Sequence, residues 1–348
     1  MSDEAAGLVV RALTPDRIVA WDEFVARCGE ASFFHRAGWQ RVITDSFGHR
    51  THYLYAERDG EISGILPLVH IASRFFGDSL ISNAFGVYGG PATLDPATRA
   101  ALDDAALGLM RSLGAGCLEY RQLVRMHPDW PCRDNLYATF RRPIDPDPEA
   151  NLKAIPRKQR AVIRQSLTRG LTVVEDGDVE RFFALYALSV RNLGTPVFAK
   201  RYFANLKRKF GRDCEVLIAE HDGAPVCAVM SFYFRDEVLP YYAGAGPAAR
   251  QLGAYDFIYW HILCAAALRG LKIFDFGRSK RGTGAFAFKK NWGFTPQPIF
   301  HEYQLTPGQA IPDINPLNPK YRLFIAAWKR LPLPIANAIG PLIARDLG

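Results

Sequence analysis

Apolar and polar positions fall into short alternating runs separated by longer helical patterns, and the order of these runs occurs twice along the chain. Leu54–Gly60 reads LYAERDG, and Leu217–Gly223, 163 residues further on, reads LIAEHDG. Each run ends in Asp-Gly, a dipeptide that tolerates the positive φ angles of a tight hairpin turn. Each is followed by a second apolar run, Ile62–Ile71 in one copy and Pro225–Phe234 in the other. The pattern predicts two β-hairpins in equivalent settings. In the first copy Thr14-Pro15 opens a helix to about Arg27, and a second helix covers Gly38–Ser46. After the hairpin come a strand near Leu80, a Gly-rich turn at Tyr88–Pro91, a helix over Pro96–Leu113 and a strand at Cys117–Tyr120. In the second copy a basic helix over Pro156–Arg169 and a strand at Leu171–Val174 come first. Next is a helix begun by Asp178 and ended by Gly194, with Phe182, Tyr186, Ser189 and Leu193 on one face. A helix at Lys200–Phe210 leads into the hairpin, and a strand at Val238–Ala243, a loop Gly244–Gly253, a helix Ala254–Arg269 and a strand Lys272–Phe276 follow it. Strand, loop, helix, strand is the order of a parallel crossover. The helix at 254–269 is apolar on nearly every face, which predicts burial between layers, His261 included.

The stretch Arg142–Pro148, rich in proline and aspartate, reads as a linker. The expected organisation is therefore two α/β domains, residues 1–142 and 143–305, each a mixed sheet flanked by helices, and a proline-rich amphipathic tail, residues 306–348. Hydrophobic residues make up 49% and charged residues 22% of the 348, a balance that excludes a disordered chain and a bundle of membrane spans. The six cysteines show neither a CxxC pair nor zinc spacing, so buried, reduced thiols in a cytoplasmic protein are expected. His35, His49 and His52 lack metal spacing, and no P-loop, dinucleotide fingerprint or Ser-His-Asp arrangement is present. The tail from Tyr321 to Leu347 has an aromatic and aliphatic face beside Lys329 and Arg330. It reads either as a segment packed on the protein's own core or as an interfacial membrane anchor.

The net charge of +8 is unevenly placed. Asn151–Gly170, Ala199–Arg212 and Arg278–Lys290 carry +6, +6 and +5, so the remainder of the chain is at −9. Arg157, Arg160 and Arg164 share one helix face, which is either simply solvated or a site for phosphates. An anionic partner would bind the second domain if the three segments converge on one cleft.

The loop before the apolar helix presents backbone N–H groups and the positive end of a dipole, a setting that suits a phosphate or an oxyanion. Arg250-Gln251-Leu252-Gly253-Ala254-Tyr255 is similar to the pyrophosphate loop of GNAT acetyltransferases, Arg/Gln-x-x-Gly-x-Gly/Ala, and departs from it at Tyr255, whose ring would crowd a pyrophosphate. Phe274-Asp275-Phe276-Gly277-Arg278-Ser279-Lys280, then Phe286-Ala287-Phe288-Lys289-Lys290-Asn291-Trp292-Gly293-Phe294, with Tyr241-Tyr242 and Tyr255-Asp256, resemble the FemAB/FemX family of tandem GNAT-like transferases. More narrowly they resemble its members associated with exosortase/PEP-CTERM and exopolysaccharide loci. Ser32-Phe33-Phe34-His35 with Trp39 extends the resemblance into the first half.

The resemblance implies two tandem GNAT-like domains and transfer of an aminoacyl group from aminoacyl-tRNA to an amine of a lipid- or nucleotide-linked precursor. It also implies that the family's Phe-Lys pair falls on Phe288-Lys289. A fixed cation beside the carbonyl oxygen under attack would stabilise the transition state by ~3 kcal/mol. The plain alternative for Lys289 is a surface lysine on a short helix. Asp275 would either orient and deprotonate the acceptor amine or cap the Arg278 loop. Tyr241 and Tyr242, on alternate faces of their strand, would send one ring to the core and one to a cleft. With Arg250, Gly253, Tyr255, Arg278, Phe288 and Trp292 they form the expected substrate site. No metal and no tightly bound cofactor is expected, and the donor is aminoacyl-tRNA or acyl-CoA. The expected setting is cytoplasmic, with peripheral contact at the inner face of the membrane left open. A coenzyme A-dependent N-acyltransferase and a non-catalytic component of a polysaccharide assembly system stand as alternatives.

Overall fold

The computed structural model describes residues 7–73, 76–312 and 322–348. Its elements run β1 (Val9–Ala12), α1 (Ile18–Arg27), α2 (Gly38–Phe47), β2 (Arg50–Arg58), β3 (Glu61–Ser73), β4 (Gly77–Ser82), β5 (Ala92–Thr93), α3 (Pro96–Leu113), β6 (Cys117–Gln122) and β7 (Cys132–Arg133). They continue with β8 (Tyr137–Thr139), β9 (Arg141–Pro143), α4 (Pro148–Ala154), α5 (Arg157–Ser166), β10 (Leu171–Glu175), α6 (Glu180–Leu193), α7 (Lys200–Phe210), β11 (Cys214–His221), β12 (Ala224–Phe234) and β13 (Glu237–Ala245). The last are α8 (Ala249–Leu252), α9 (Ala254–Leu268), β14 (Ile273–Asp275), β15 (Ser279–Lys280), α10 (Gly284–Asn291), β16 (Gln297–Pro298), β17 (Phe300–Leu305), α11 (Arg322–Trp328) and α12 (Leu333–Ala344).

The chain folds as two compact units that are not consecutive segments. The first takes the described residues of Met1–Asp134, Ile299–Ile314 and Arg345–Gly348, and the second those of Asn135–Pro298 and Asn315–Ala344. The divisions expected at 142 and 305 fail for one physical reason, which is strand pairing. β8 and β9 pair with β15, β16 and β14 of the second unit, and Asp147 caps α4 directly after β9, so the presumed linker is folded structure. β17 joins the sheet of the first unit instead. The proline-rich tail is likewise divided, and its segment 313–321 lies outside the described residues.

In the first unit the sheet order is β1-β2-β3-β4-β6-β17-β7. β4 and β6 are parallel, joined by α3, whose first turn is capped by Asp95 and whose end is set by left-handed Gly114. Leu66, Leu68, Leu80, Leu102, Leu118 and Tyr120 form its core. β17 is locked in place by Glu302, which is fully buried. One of its oxygens accepts the backbone N–H groups of Met126 (3.0 Å) and His127 (2.8 Å), and the other meets His127 Nδ1 at 3.0 Å. His127 Nε2 meets Asp103 at 2.9 Å. Burial alone would lower this imidazole, but the hydrogen bonds to Asp103 and Glu302 prevail and raise it to about 9.

In the second unit the sheet order is β10-β11-β12-β13-β14-β9. α9 and α5 cover the face carrying Leu217, Ala219, Cys227 and Val229, and α6 and α7 cover the other, where Tyr186, Tyr202 and Phe203 surround Tyr242. α6 lies so close that a Cβ on Gly244 would stand 2.3 Å from Tyr186 Cα. The helix α9 is less enclosed than its sequence suggests: His261 and Leu268 face water, because the core is reached by Phe257, Ile258, Ile262 and Leu263 on the other side. Since α5 and α7 lie on opposite faces of the sheet, their two basic segments do not converge.

The repeat read from the sequence is present in detail. The β2–β3 and β11–β12 turns place Asp59 and Asp222 at φ 51° and Gly60 and Gly223 at φ 83° and 73°, so both turn residues are left-handed in both copies. Each hairpin also carries a bulge at the same place, Ala56/Glu57 in one and Ala219/Glu220 in the other.

Candidate active site

The candidate site lies where β13 and β14 part. The two strands are parallel but pair at two positions, Glu237 with Ile273 and Val238 with Phe274; from Leu239 onward β13 has no strand on that side among the described residues. On its other side β13 is bulged against β12: Tyr242 faces Met230 and Pro240 faces Ser231, so Tyr241 is the extra residue. The bulge cancels the expected alternation of the tyrosines. Their rings lie 4.5 Å apart at 73°, with Tyr242 hydrogen-bonded to Tyr202 (2.9 Å) and Tyr241 against Phe232.

The chain leaving β14 turns sharply at Gly277, φ 65°, beside Leu239 and Tyr241; a Cβ there would stand 3.2 Å from Leu239 Cδ1. Two charged side chains hold this turn. Asp275, 1% exposed, accepts the Gly277 N–H at 2.7 Å and the Thr139 hydroxyl at 3.3 Å, and its second oxygen pairs with Arg141 Nε at 3.1 Å. Arg141 in turn pairs with Glu237. Of the two roles open to Asp275, capping the loop is the one its contacts show. Its carboxylate is buried and engaged by all three partners.

Lys289 reaches the same turn from α10. Its ammonium donates to the carbonyls of Phe276 (2.6 Å), Gly277 (3.0 Å) and Arg278 (3.2 Å), and lies 5.6 Å from the centre of the Phe140 ring. It is 8% exposed, so the surface-lysine alternative fails. Burial pushes its pKa down to about 7, against the pull of Asp275 and with the help of Arg278. With the carbonyls of Phe276, Gly277 and Arg278 as its partners, Lys289 braces the 276–278 turn. Sequence reasoning found Lys289 and Asp275 but missed Thr139, Phe140 and Arg141, whose segment carries no signal beyond ordinary strand propensity.

The remaining predicted residues are divided. Trp292 is fully buried, and its indole N–H donates to Asp256 at 2.9 Å. Asp256, in the first turn of α9, also accepts from Gln159 of α5, and burial raises its carboxyl above the usual range. The Tyr255 ring stacks on Tyr259 and meets Phe288, and burial pushes its phenol up to about 12. The loop itself is shorter than expected, since β13 runs to Ala245 and Ala249–Leu252 is helical. Arg250 is exposed on that helix, and Gly253, φ 66°, turns it into α9, with Ser166 of α5 closing the space a Cβ would need. Arg278 lies 4.7 Å over the Tyr137 ring. On α5, Arg157 and Arg164 are exposed and Arg160 half-buried, on the flank next to the buried Ile163 and Ser166. Among the described residues no His, Cys, Asp or Glu cluster suits a metal.

Residues 155–290 match the family model described as acetyltransferase (GNAT) domain. Among solved structures the chain is similar to that of FemX, at 15% identity and a TM-score of 0.68, over 84% of this chain and 96% of the other. A tandem GNAT protein from the clavulanic acid biosynthesis pathway is similar at 14% identity and 0.55, over 87% and 100%. N-myristoyltransferase from Saccharomyces cerevisiae with bound myristoyl-CoA is similar at 10% identity and 0.54, over 92% and 88%. No curated protein matches by sequence. These likenesses establish the fold as two tandem GNAT-like units, and the matched domain supports acyltransferase activity.

Proposed function

We propose that the protein transfers an acyl or aminoacyl group to a primary amine of a cell-envelope or exopolysaccharide intermediate, forming an amide. The observation that carries this reading is the parting of β13 and β14 around a bulge, closed by a turn that Asp275 and Lys289 hold rigid. Such an opening accepts an extended donor chain alongside β13, with its carbonyl at the bulge and the acceptor amine approaching past the 276–278 turn. The amine nitrogen bonds to the carbonyl carbon, the C–S or C–O bond of the donor breaks, and the leaving sulfur or oxygen takes the proton the amine gives up. Preorganisation of the turn is where the residues act, because a misplacement of about 1 Å can cost about 10²-fold in rate. Arg157, Arg160 and Arg164, with Arg250, supply positive charge for a phosphate-bearing donor or acceptor.

The donor in this reading is a coenzyme A ester or aminoacyl-tRNA. The reading places the protein in the cytoplasm. Purified protein offered labelled acetyl-CoA, longer acyl-CoAs and charged tRNA separately, with an amine-bearing saccharide acceptor, tests it. Turnover with one donor selects that donor, and binding without turnover of any makes the protein a non-catalytic component of an assembly system.

A further inference from the structure

The last helix of the second unit is inverted with respect to an ordinary surface helix. α12 buries Ala336, Gly340 and Ala344, and packs so closely that a Cβ on Gly340 would stand 2.9 Å from Val197 Cγ1. Its large side chains point away: Ile335 is 44%, Ile339 42% and Leu342 68% exposed, and Ala338 lies between them. The spacing i, i+3, i+4, i+7 that marks a core-facing stripe therefore faces outward. α11 continues the surface with Leu323, 85% exposed, and Phe324. A Cβ on Gly194, at the end of α6, would stand 2.5 Å from Ile325 of α11, which brings the exposed Leu193 next to the same patch. The charge of the segment has one sign: Arg322, Lys329 and Arg330 are exposed, and residues 322–344 contain no Asp or Glu. Among the described residues no helix is long and apolar enough to cross a membrane, α12 having 12 residues.

We propose that this outward face of α11 and α12 docks on the surface of an anionic phospholipid bilayer, lying in the interface without spanning it. A contiguous apolar patch of this kind needs a cover, and the all-positive collar decides which. Two copies of the chain meeting through it would bring like charges together, whereas acidic headgroups complement Arg322, Lys329 and Arg330 while Leu323, Ile339 and Leu342 enter the acyl boundary. The inference does not depend on the donor or on the transfer reaction.

The test is co-sedimentation of the full chain with vesicles of phosphatidylcholine alone and of phosphatidylcholine containing phosphatidylglycerol. The protein is expected to pellet with the anionic vesicles at least about tenfold more than with the neutral ones, and to be released by raised salt. Leu323→Ser, Ile339→Ser and Leu342→Ser together should lower the bound fraction about tenfold or more with the melting temperature kept, since all three side chains lie on the exposed face. Arg322→Gln, Lys329→Gln and Arg330→Gln together should abolish the preference for anionic vesicles. Failure to bind either vesicle, equal binding to both, binding unaffected by the serine variant, or a dimer in light scattering that the same serines dissociate would each overturn the proposal.

Discussion

Replacing Lys289 by methionine keeps the length and apolar stem of the side chain and removes three donors from three carbonyls. The lowered pKa supplies the magnitude and the sign. In the unfolded chain the amine holds its proton up to 10.5, and in the folded chain it releases it near 7, a gap of about 5 kcal/mol between the two protonation states. Between those two values the unfolded chain binds more protons, so this group makes stability rise with pH by at most about 1.4 kcal/mol per unit; below about 7 it contributes no slope. Lys289→Met should be less stable than the wild type by about 2–4 kcal/mol at pH 7, the cost of leaving buried carbonyls without their charged donor. The difference should widen by about 3 kcal/mol on going to pH 9.5, because the wild type gains from releasing a buried charge and the variant has none to release. Urea unfolding of both proteins at pH 6, 7, 8 and 9.5 measures this directly, and subtracting the two profiles removes the titration of the tyrosines and cysteines they share. Parallel profiles would refute the placement of the ammonium among the carbonyls of Phe276, Gly277 and Arg278. In the transfer assay the same variant should lose about 10- to 100-fold in kcat as the turn relaxes, and full activity in Lys289→Ala would remove the residue from the mechanism.

Asp275→Asn leaves the buried Arg141 pair without its charge and should cost about 3 kcal/mol in thermal or urea unfolding; an unchanged midpoint would contradict the capping role. Gly244→Ala places a methyl group within the backbone of α6, and the expected outcome is loss of soluble folded protein by circular dichroism, while Gly246→Ala, with only Leu185 and Val226 nearby at 3.6 Å or more, should fold. In the first unit, His127, raised from 6.5 to about 9, stabilises fully below about pH 6.5, and that contribution, about 3 kcal/mol, is lost as pH rises through 9. His127→Gln should abolish the part of the stability decline between pH 7 and 9 that the wild type owes to this group, and an equally steep decline in both would argue against the imidazolium. Arg157→Glu with Arg160→Glu should raise KM for the phosphate-bearing substrate about tenfold or more, with kcat little changed and the effect shrinking at high salt; a KM that does not move leaves α5 a solvated helix.

What could be read from the sequence was whatever repeats locally. The Asp-Gly turns at Asp59 and Asp222 declare both hairpins, because few other dipeptides accept two left-handed residues, and with the flanking helical periods they reveal the duplication. Non-local pairing was not readable. Six residues of β17, 300–305, look like any alternating strand, and nothing in them says that they will pair with β6 rather than with a neighbour of their own unit. The bulge at Tyr241 is hidden for the same reason, since it is a property of the register between two strands and not of either one. At the site, Lys289 and Asp275 stood out as charges in aromatic surroundings, but charge in an apolar context is compatible both with meeting a substrate and with holding the backbone. The partners at Gly277, Thr139 and Arg141 decide, and two of those lie more than 130 residues away in sequence.

The position of β17 also sets the order in which the chain can mature on the ribosome. The first unit has emerged as far as β6 well before Phe300 exists, and synthesis of the intervening residues takes on the order of 10–40 s. Throughout that interval the β6 edge, Cys117–Gln122, lacks the strand that will cover it, and His127 lacks the buried carboxylate of Glu302. An exposed strand edge is a template for mispairing with other nascent chains. The sheet of the N-terminal unit is thus completed only after residues 135–298 of the second unit have been made, and a nascent chain halted after residue 134 carries an open sheet, not a finished domain.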